Sequence, residues 1–307
     1  MSPSETILIT GANAGLGRES ARQFALKDSV KKIYLACRNE AKALAAKTEL
    51  EAETGRSIFE ILLIDVMNLT AVRKAAANLK EPVDTVILNA GGTGGTNPRA
   101  LTADGVTNIF AVNLLGHTVF IDALLKRNLI NSTVLYAGSE AARGIPKMGI
   151  ERPHMETFSA DEFAAIANGT KYTEGSDPLV EYGAIKLTAA YWMASMARKH
   201  KNVRFITVSP GGTSGTNGMD DLPFLKKIMF KYIGGTIMPL FGMMHGLDVG
   251  AKRYVDAVMS DEFKSGHFYA SKGKFPTGDV VDQALEYADL SNNSFEDNAH
   301  EALLRFA

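Results

Sequence analysis

Thr10-Gly11-Ala12-Asn13-Ala14-Gly15-Leu16-Gly17-Arg18 closes a short apolar run, 6–10, and opens a helical pattern over 17–26. Glycines stand where the chain must turn sharply and where backbone N–H groups meet a helix N-terminus. Amide donors and the positive end of the helix dipole stabilise a pyrophosphate at such a place. A glycine-rich turn is also an ordinary strand-to-helix connection. Its position after the first strand of an alternating chain favours the phosphate reading over the bland one.

Outward from this loop, runs rich in Val, Ile and Leu at 6–10, 32–36, 59–63, 85–89, 132–137 and 203–209 predict strands. Helical patterns at 17–26, 40–53, 69–79 and 106–125 lie between them. That rhythm predicts an α/β fold: a doubly wound Rossmann sheet of parallel strands, with right-handed crossovers and helices on both faces. A single domain over 1–307 is expected, with insertions before Tyr182 and after Pro210-Gly211. Segments of about 141–179 and 217–247 interrupt the rhythm and are expected to cover a substrate. The second is dense in Met and Phe, which suits a lid over an apolar ligand, a pair of core helices, or a lipid-facing surface through 222–247.

At the end of the second strand, an acid would bind a ribose 2′-hydroxyl. The chain instead reads Ala36-Cys37-Arg38-Asn39, with Lys42 one turn on. The forked guanidinium of Arg38 matches a 2′-phosphate, with Lys42 and Arg18 adding charge, so NADP(H) is the expected cofactor. The competing reading is a solvated arginine at a helix start.

Composition narrows the class. The chain has 307 residues, 46% of them apolar, with 33 basic and 34 acidic residues. This is enough for a large core, and the charge balance offers no global attraction to nucleic acid. Cys37 is the one cysteine, so neither an intrachain disulfide nor a cysteine metal cluster can form, and no metal site is expected. The first residues lack a basic start and a long apolar stretch, and 222–247 is broken by Lys226, Lys227, Lys231 and Pro239. A cytoplasmic protein is the expectation.

In order along the chain stand the 10–17 loop, Asp65-Val66, Asn89-Ala90-Gly91, Asn113, Ser139, Tyr182-Gly-Ala-Ile-Lys186 and Pro210-Gly211. This series resembles the short-chain dehydrogenase/reductase family over nearly the whole chain. The resemblance implies that Asp65 and Val66 meet the adenine and that Asn89, Ala90 and Gly91 lie beside its ribose. It makes Asn113, Ser139, Tyr182 and Lys186 a catalytic tetrad, with Asn113 anchoring a water that links Lys186 to solvent. Pro210, Gly211 and Thr213 or Thr216 would meet the nicotinamide end.

The chemistry of the residues fits these roles. Tyr182 and Lys186 are four apart on a helical pattern and share a face. A tyrosine titrates near 10, and a neighbouring ammonium stabilises its phenolate, making it an acid/base. Ser139 follows a strand and can orient a carbonyl oxygen. Each residue also has an ordinary reading: surface pair, turn, or local helix bond. His117 reads as structural.

Forty-three positions separate Ser139 from Tyr182, a long spacing for the family. With Arg38, Lys42 and the 265–269 tail it resembles the branch holding light-dependent protochlorophyllide reductases and the retinol-dehydrogenase-like enzymes. The former carry a cysteine after the Pro-Gly, where this chain has Gly212. The expected function is NADP(H)-dependent hydride transfer to or from a small hydrophobic carbonyl or alcohol. The alternatives are a C=C reductase of a tetrapyrrole and a non-catalytic NADP-binding sensor. Extra chain beside the Tyr182 helix predicts a monomer or a non-standard dimer.

Overall fold

The computed structural model describes residues 4–173, 176–215 and 242–307. Eight strands form one sheet in the order β3-β2-β1-β4-β5-β6-β7-β8. They are β1 (Thr6–Thr10), β2 (Lys32–Cys37), β3 (Phe59–Leu63), β4 (Val83–Leu88), β5 (Ile130–Ala137), β6 (Arg204–Val208), β7 (Phe268–Ser271) and β8 (Val280–Asp282). Every pairing is parallel except β7 with β8. The six expected strands are present within one or two residues. The two last strands lay outside those expectations, because each is too short to show a run.

Helices α1 (Gly15–Ala25), α2 (Glu40–Thr54) and α3 (Leu69–Asn78) connect the first four strands. The expected helix at 106–125 forms as α4 (Asn108–Phe110) and α5 (Gly116–Leu125), joined by a π-helical turn, Ala111–Leu115. It is long and apolar enough to cross a membrane, yet it is mostly buried in the protein core. Two apolar clusters pack the faces of the sheet, one around Phe110, Phe120 and Trp192, the other around Phe24, Leu35 and Tyr254.

α6 (Ala160–Ala167) lies within the segment expected to cover a substrate, and it packs instead on α7 (Pro178–Lys199) and α9 (Asn293–Leu304). Phe163 and Phe158 meet Tyr191 of α7 edge-on, and Phe158 stacks on Phe295 of α9 at 4.1 Å. For residues 158–167 the covering expectation is therefore corrected. Their apolar side chains are spent on the outer side of the Tyr182 helix. The late lid segment lies outside the described residues except for 242–247, where α8 (Leu247–Met259) begins.

The strand order reverses between β1 and β4. In an open parallel sheet, the crevice at the carboxyl ends of two such strands is where ligands bind. Thr10 and Asn89 end up there.

Candidate active site

β1 ends at Thr10, whose hydroxyl accepts hydrogen bonds from Asn89 N and Ala90 N, each at 2.9 Å. Asn89 Nδ2 returns a bond to Thr10 O at 2.9 Å, so the two loops brace each other. Gly11 has φ +68° and Gly15 φ +54°. A Cβ at Gly17 would stand 2.4 Å from Gly11 O, so no other residue fits this crossing. Helix α1 starts at Gly15 behind Ala14, with no side-chain cap and no acid in its first turn. Its leading amides and positive dipole end are left for an anion, and the bare Ala14–Gly17 backbone lets that anion approach.

Arg38 and Lys42 are exposed and form no ion pair among the described residues, while Asn39 caps α2 by accepting Lys42 N at 2.9 Å. Arg18 corrects the sequence reading. Its Nη2 is 2.6 Å from Glu53 and 3.0 Å from Glu49 on α2, and those carboxylates raise its pKa. The spacing of α1 and α2 turns its charge towards these acids and neutralises it. Cys37 is buried beneath Arg38, and desolvation pushes its thiol up to about 11, so it is inert at neutral pH.

Asp65 follows β3, partly exposed, and accepts Met67 N at 3.0 Å. Val66 is buried against Gly116, where a Cβ would meet its carbonyl. Gly91 has no room for a side chain either, with Asn113 Oδ1 2.7 Å from its would-be Cβ. Asn113 is fully buried in the π-turn. Its Nδ2 donates to Gly92 O and Ile109 O at 2.8 Å, and its Oδ1 accepts Gly92 N at 3.3 Å. The side chain thus holds the Gly-rich loop. Its backbone carbonyl accepts the Tyr136 hydroxyl at 2.8 Å. The Tyr136 phenol is a partner that sequence reasoning missed.

At the end of β5, Ser139 caps a 3-10 turn (Glu140–Ala142), its Oγ accepting Ala141 N at 3.2 Å and hydrogen-bonding Tyr182. One turn on from Tyr182, Lys186 is 3% exposed, and its Nζ donates to Ala137 O at 2.9 Å. The ammonium lies 4.6 Å from the Tyr136 ring centroid and 5.5 Å from that of Tyr182. Burial dominates the titration of both groups. Desolvation pushes Tyr182 up to about 12, with the Ser139 bond pulling the other way, and it drives Lys186 down to about 7. Each shift disfavours the charged form of a buried group. His117 is wholly buried on Thr10, and desolvation first and then Lys186 lower its pKa to about 3.

After β6, Gly211 turns with φ +79° and its N–H binds Ser209 Oγ at 3.1 Å. The Thr213 hydroxyl points into the same turn, 3.2 Å from Pro210 O and Gly211 O and 3.3 Å from His245 Nε2. It serves the loop itself, which corrects its expected part as a free contact. Thr216 lies outside the described residues. A Cβ on Gly212 would stand 2.3 Å from Met243 O, so the cysteine of the protochlorophyllide enzymes has no room here. Sequence reasoning also missed Glu140, Arg143 and Arg253, whose signal was a Glu and an Arg three apart directly after Ser139.

A Ser, a Tyr and a Lys thus meet beside an uncapped helix N-terminus at the carboxyl edge of a parallel sheet. A family model described as short chain dehydrogenase matches residues 5–144. Over that stretch the chain is similar to the short chain dehydrogenases. Retinol dehydrogenase 12 of Mus musculus is 33% identical over 41% of this chain and 39% of its own length. Short-chain dehydrogenase/reductase bet4 of Neocamarosporium betae is 30% identical over 66% of this chain and 60% of its own. The chain therefore spans less than two thirds of the length of either. Among solved structures, a short chain dehydrogenase of Shigella flexneri complexed with NADP aligns with a TM-score of 0.59 and 19% identity. That alignment covers 85% of this chain and 94% of the other, a likeness of fold. Of the two branches in the sequence resemblance, the retinol-dehydrogenase one is represented by the mouse relative.

Proposed function

We propose that this chain is an NADP(H)-dependent oxidoreductase that moves hydride to or from a hydrophobic carbonyl or alcohol. The observation carrying this reading is the meeting of Ser139, Tyr182 and Lys186 at the switch-point crevice. The dinucleotide would supply or accept the hydride. The uncapped start of α1 would hold its pyrophosphate, Arg38 with Lys42 its 2′-phosphate, and Asp65, Val66 and Asn89–Gly91 its adenosine. Lys186 and the Pro210–Gly211 turn would meet the nicotinamide end. Ser139 orients the carbonyl oxygen and Tyr182 gives it a proton in reduction or takes one in oxidation. An apolar substrate is supported by the Met- and Phe-rich 217–247 segment and by the retinol named for the mouse relative. The Gly212 packing speaks against the tetrapyrrole reading.

Cofactor choice tests the first half. Wild type is expected to bind NADPH much tighter than NADH. Arg38→Ala should lose roughly 1.5–3 kcal/mol of NADPH affinity while NADH binding stays the same. Arg18→Ala should change the preference little, its charge being held by Glu49 and Glu53. Fluorescence titration measures all three, and equal wild-type affinities would sink the claim. A screen of hydrophobic ketones and aldehydes, read as NADPH consumption, tests the second half; tight NADPH binding with no turnover favours the sensor.

The same reading includes assembly. Residues Gly183 to Met196 of α7 are buried on every face. α9 is tied across the helix by Ser195 Oγ to Asp297 Oδ1 at 2.7 Å and by Arg198 to the same carboxylate at 2.6 Å. A helix already covered by its own chain offers no partner surface, so light scattering should return a monomer or a dimer formed elsewhere. A stable tetramer would contradict this.

A further inference from the structure

Directly after Ser139, the Glu140 carboxylate is 4% exposed and bound on both oxygens. Oε1 accepts Ser209 Oγ at 2.8 Å, Ser271 Oγ at 2.9 Å, Ser271 N at 3.1 Å and Arg253 Nη1 at 3.4 Å. Oε2 accepts Arg143 Nε at 2.5 Å. Arg143 and Arg253 are themselves 2% and 6% exposed. Both also donate to one loop, Arg143 to Gly273 O at 2.7 Å and Phe275 O at 2.6 Å and Arg253 to Gly278 O at 2.8 Å, while Arg253 Nη1 reaches Ser209 O at 3.3 Å and Ser271 Oγ at 3.0 Å. Pro276 O of that loop accepts Gly212 N at 2.6 Å, and Ser209 Oγ, bound to Glu140, accepts Gly211 N at 3.1 Å.

Two guanidiniums on one carboxylate, all out of water, make a poor stabiliser, since the desolvation cost offsets the attraction. What such a cluster does well is hold its members in one geometry. The members here are the segments that frame the reacting centre. Glu140 is covalently next to Ser139, and one hydroxyl separates it from the Gly211 amide.

We propose that Glu140 is a positioning residue that sets the Ser139 hydroxyl and, through Ser209, the Pro210–Gly211 turn in mutual register. This rests on the dinucleotide reading above. Glu140 touches neither substrate nor cofactor; it acts through the two segments it joins.

Ser209→Ala removes only the linking hydroxyl. Ser195→Ala is the control: it deletes an equally buried serine hydroxyl that donates to a carboxylate, Asp297, at 2.7 Å, on the far side of α7. NADPH binding, melting temperature and kcat are measured on both and on wild type. Ser209→Ala should weaken NADPH about 10-fold and lower kcat, while Ser195→Ala should lose comparable thermal stability with NADPH affinity unchanged. Glu140→Gln, if it folds, should show both losses more strongly. If it does not fold, the serine pair still decides. Wild-type NADPH affinity and kcat in Ser209→Ala, or equal loss in both serine variants, overturns the role of Glu140. Wild type failing to bind NADPH overturns the dinucleotide reading instead.

Discussion

Tyr182→Phe is expected to lower kcat by about 10²–10⁴-fold, the usual share of acid/base catalysis, with folding and NADPH affinity preserved. The substitution deletes one hydroxyl, whose protein partner is Ser139. With its pKa pushed up to about 12, Tyr182 is a phenol throughout the neutral range. It is therefore ready to donate when a carbonyl is reduced. In that direction the rate should not fall with rising pH until alkaline conditions remove the proton. In the oxidative direction the base form is needed, so the rate should climb with pH. Ser139→Ala should lower turnover as well and leave NADPH binding unchanged. The measurement is kcat across pH for wild type and variants on any substrate the screen returns. Tyr182→Phe turning over at the wild-type rate would place the proton donor elsewhere.

Lys186→Met is expected to abolish most turnover, to weaken NADPH, and yet to make the free chain more stable at low pH. Lys186 is buried, and desolvation drives its pKa to about 7 from 10.5. The folded state therefore holds the proton less well than the unfolded chain. Above about pH 10.5 both states are neutral and the lysine costs nothing; below about pH 7 both are charged and the full penalty, a few kcal/mol, is present. Methionine keeps the packing without the charge, losing the bond to Ala137 O at about 1–3 kcal/mol. The gain in melting temperature over wild type should be largest near pH 6 and shrink towards pH 10. A variant less stable than wild type at pH 6 would mean that the two aromatic rings and the carbonyl hold the ammonium at no cost.

Local pattern was enough for much of this molecule. Apolar runs at 6–10, 32–36 and 132–137 became central strands of a parallel sheet, because strands buried on both faces must be apolar throughout. The glycines of the 10–17 loop were legible because only residues without a side chain fit where Gly17 crosses Gly11. Tyr182 and Lys186 were legible because helical spacing puts them on one face.

Distance along the chain hid the rest. Arg18 faces Glu49 and Glu53 only because α1 and α2 lie side by side, so its charge was misassigned from sequence. Tyr136 reaches the Asn113 carbonyl because β5 passes the π-turn, 23 residues away. Glu140 meets Ser209 and Ser271 across separations of 69 and 131 residues. The titration of Tyr182 and Lys186 followed burial, which depends on every element packed around them. Sequence by itself determined the parallel α/β architecture, the glycine loop and the Tyr-Lys pair, all set by interactions within a few residues. Tertiary structure alone decided which charges remain free for a ligand and which protonation states the site favours. Those depend on desolvation and on partners that the chain brings together only when folded.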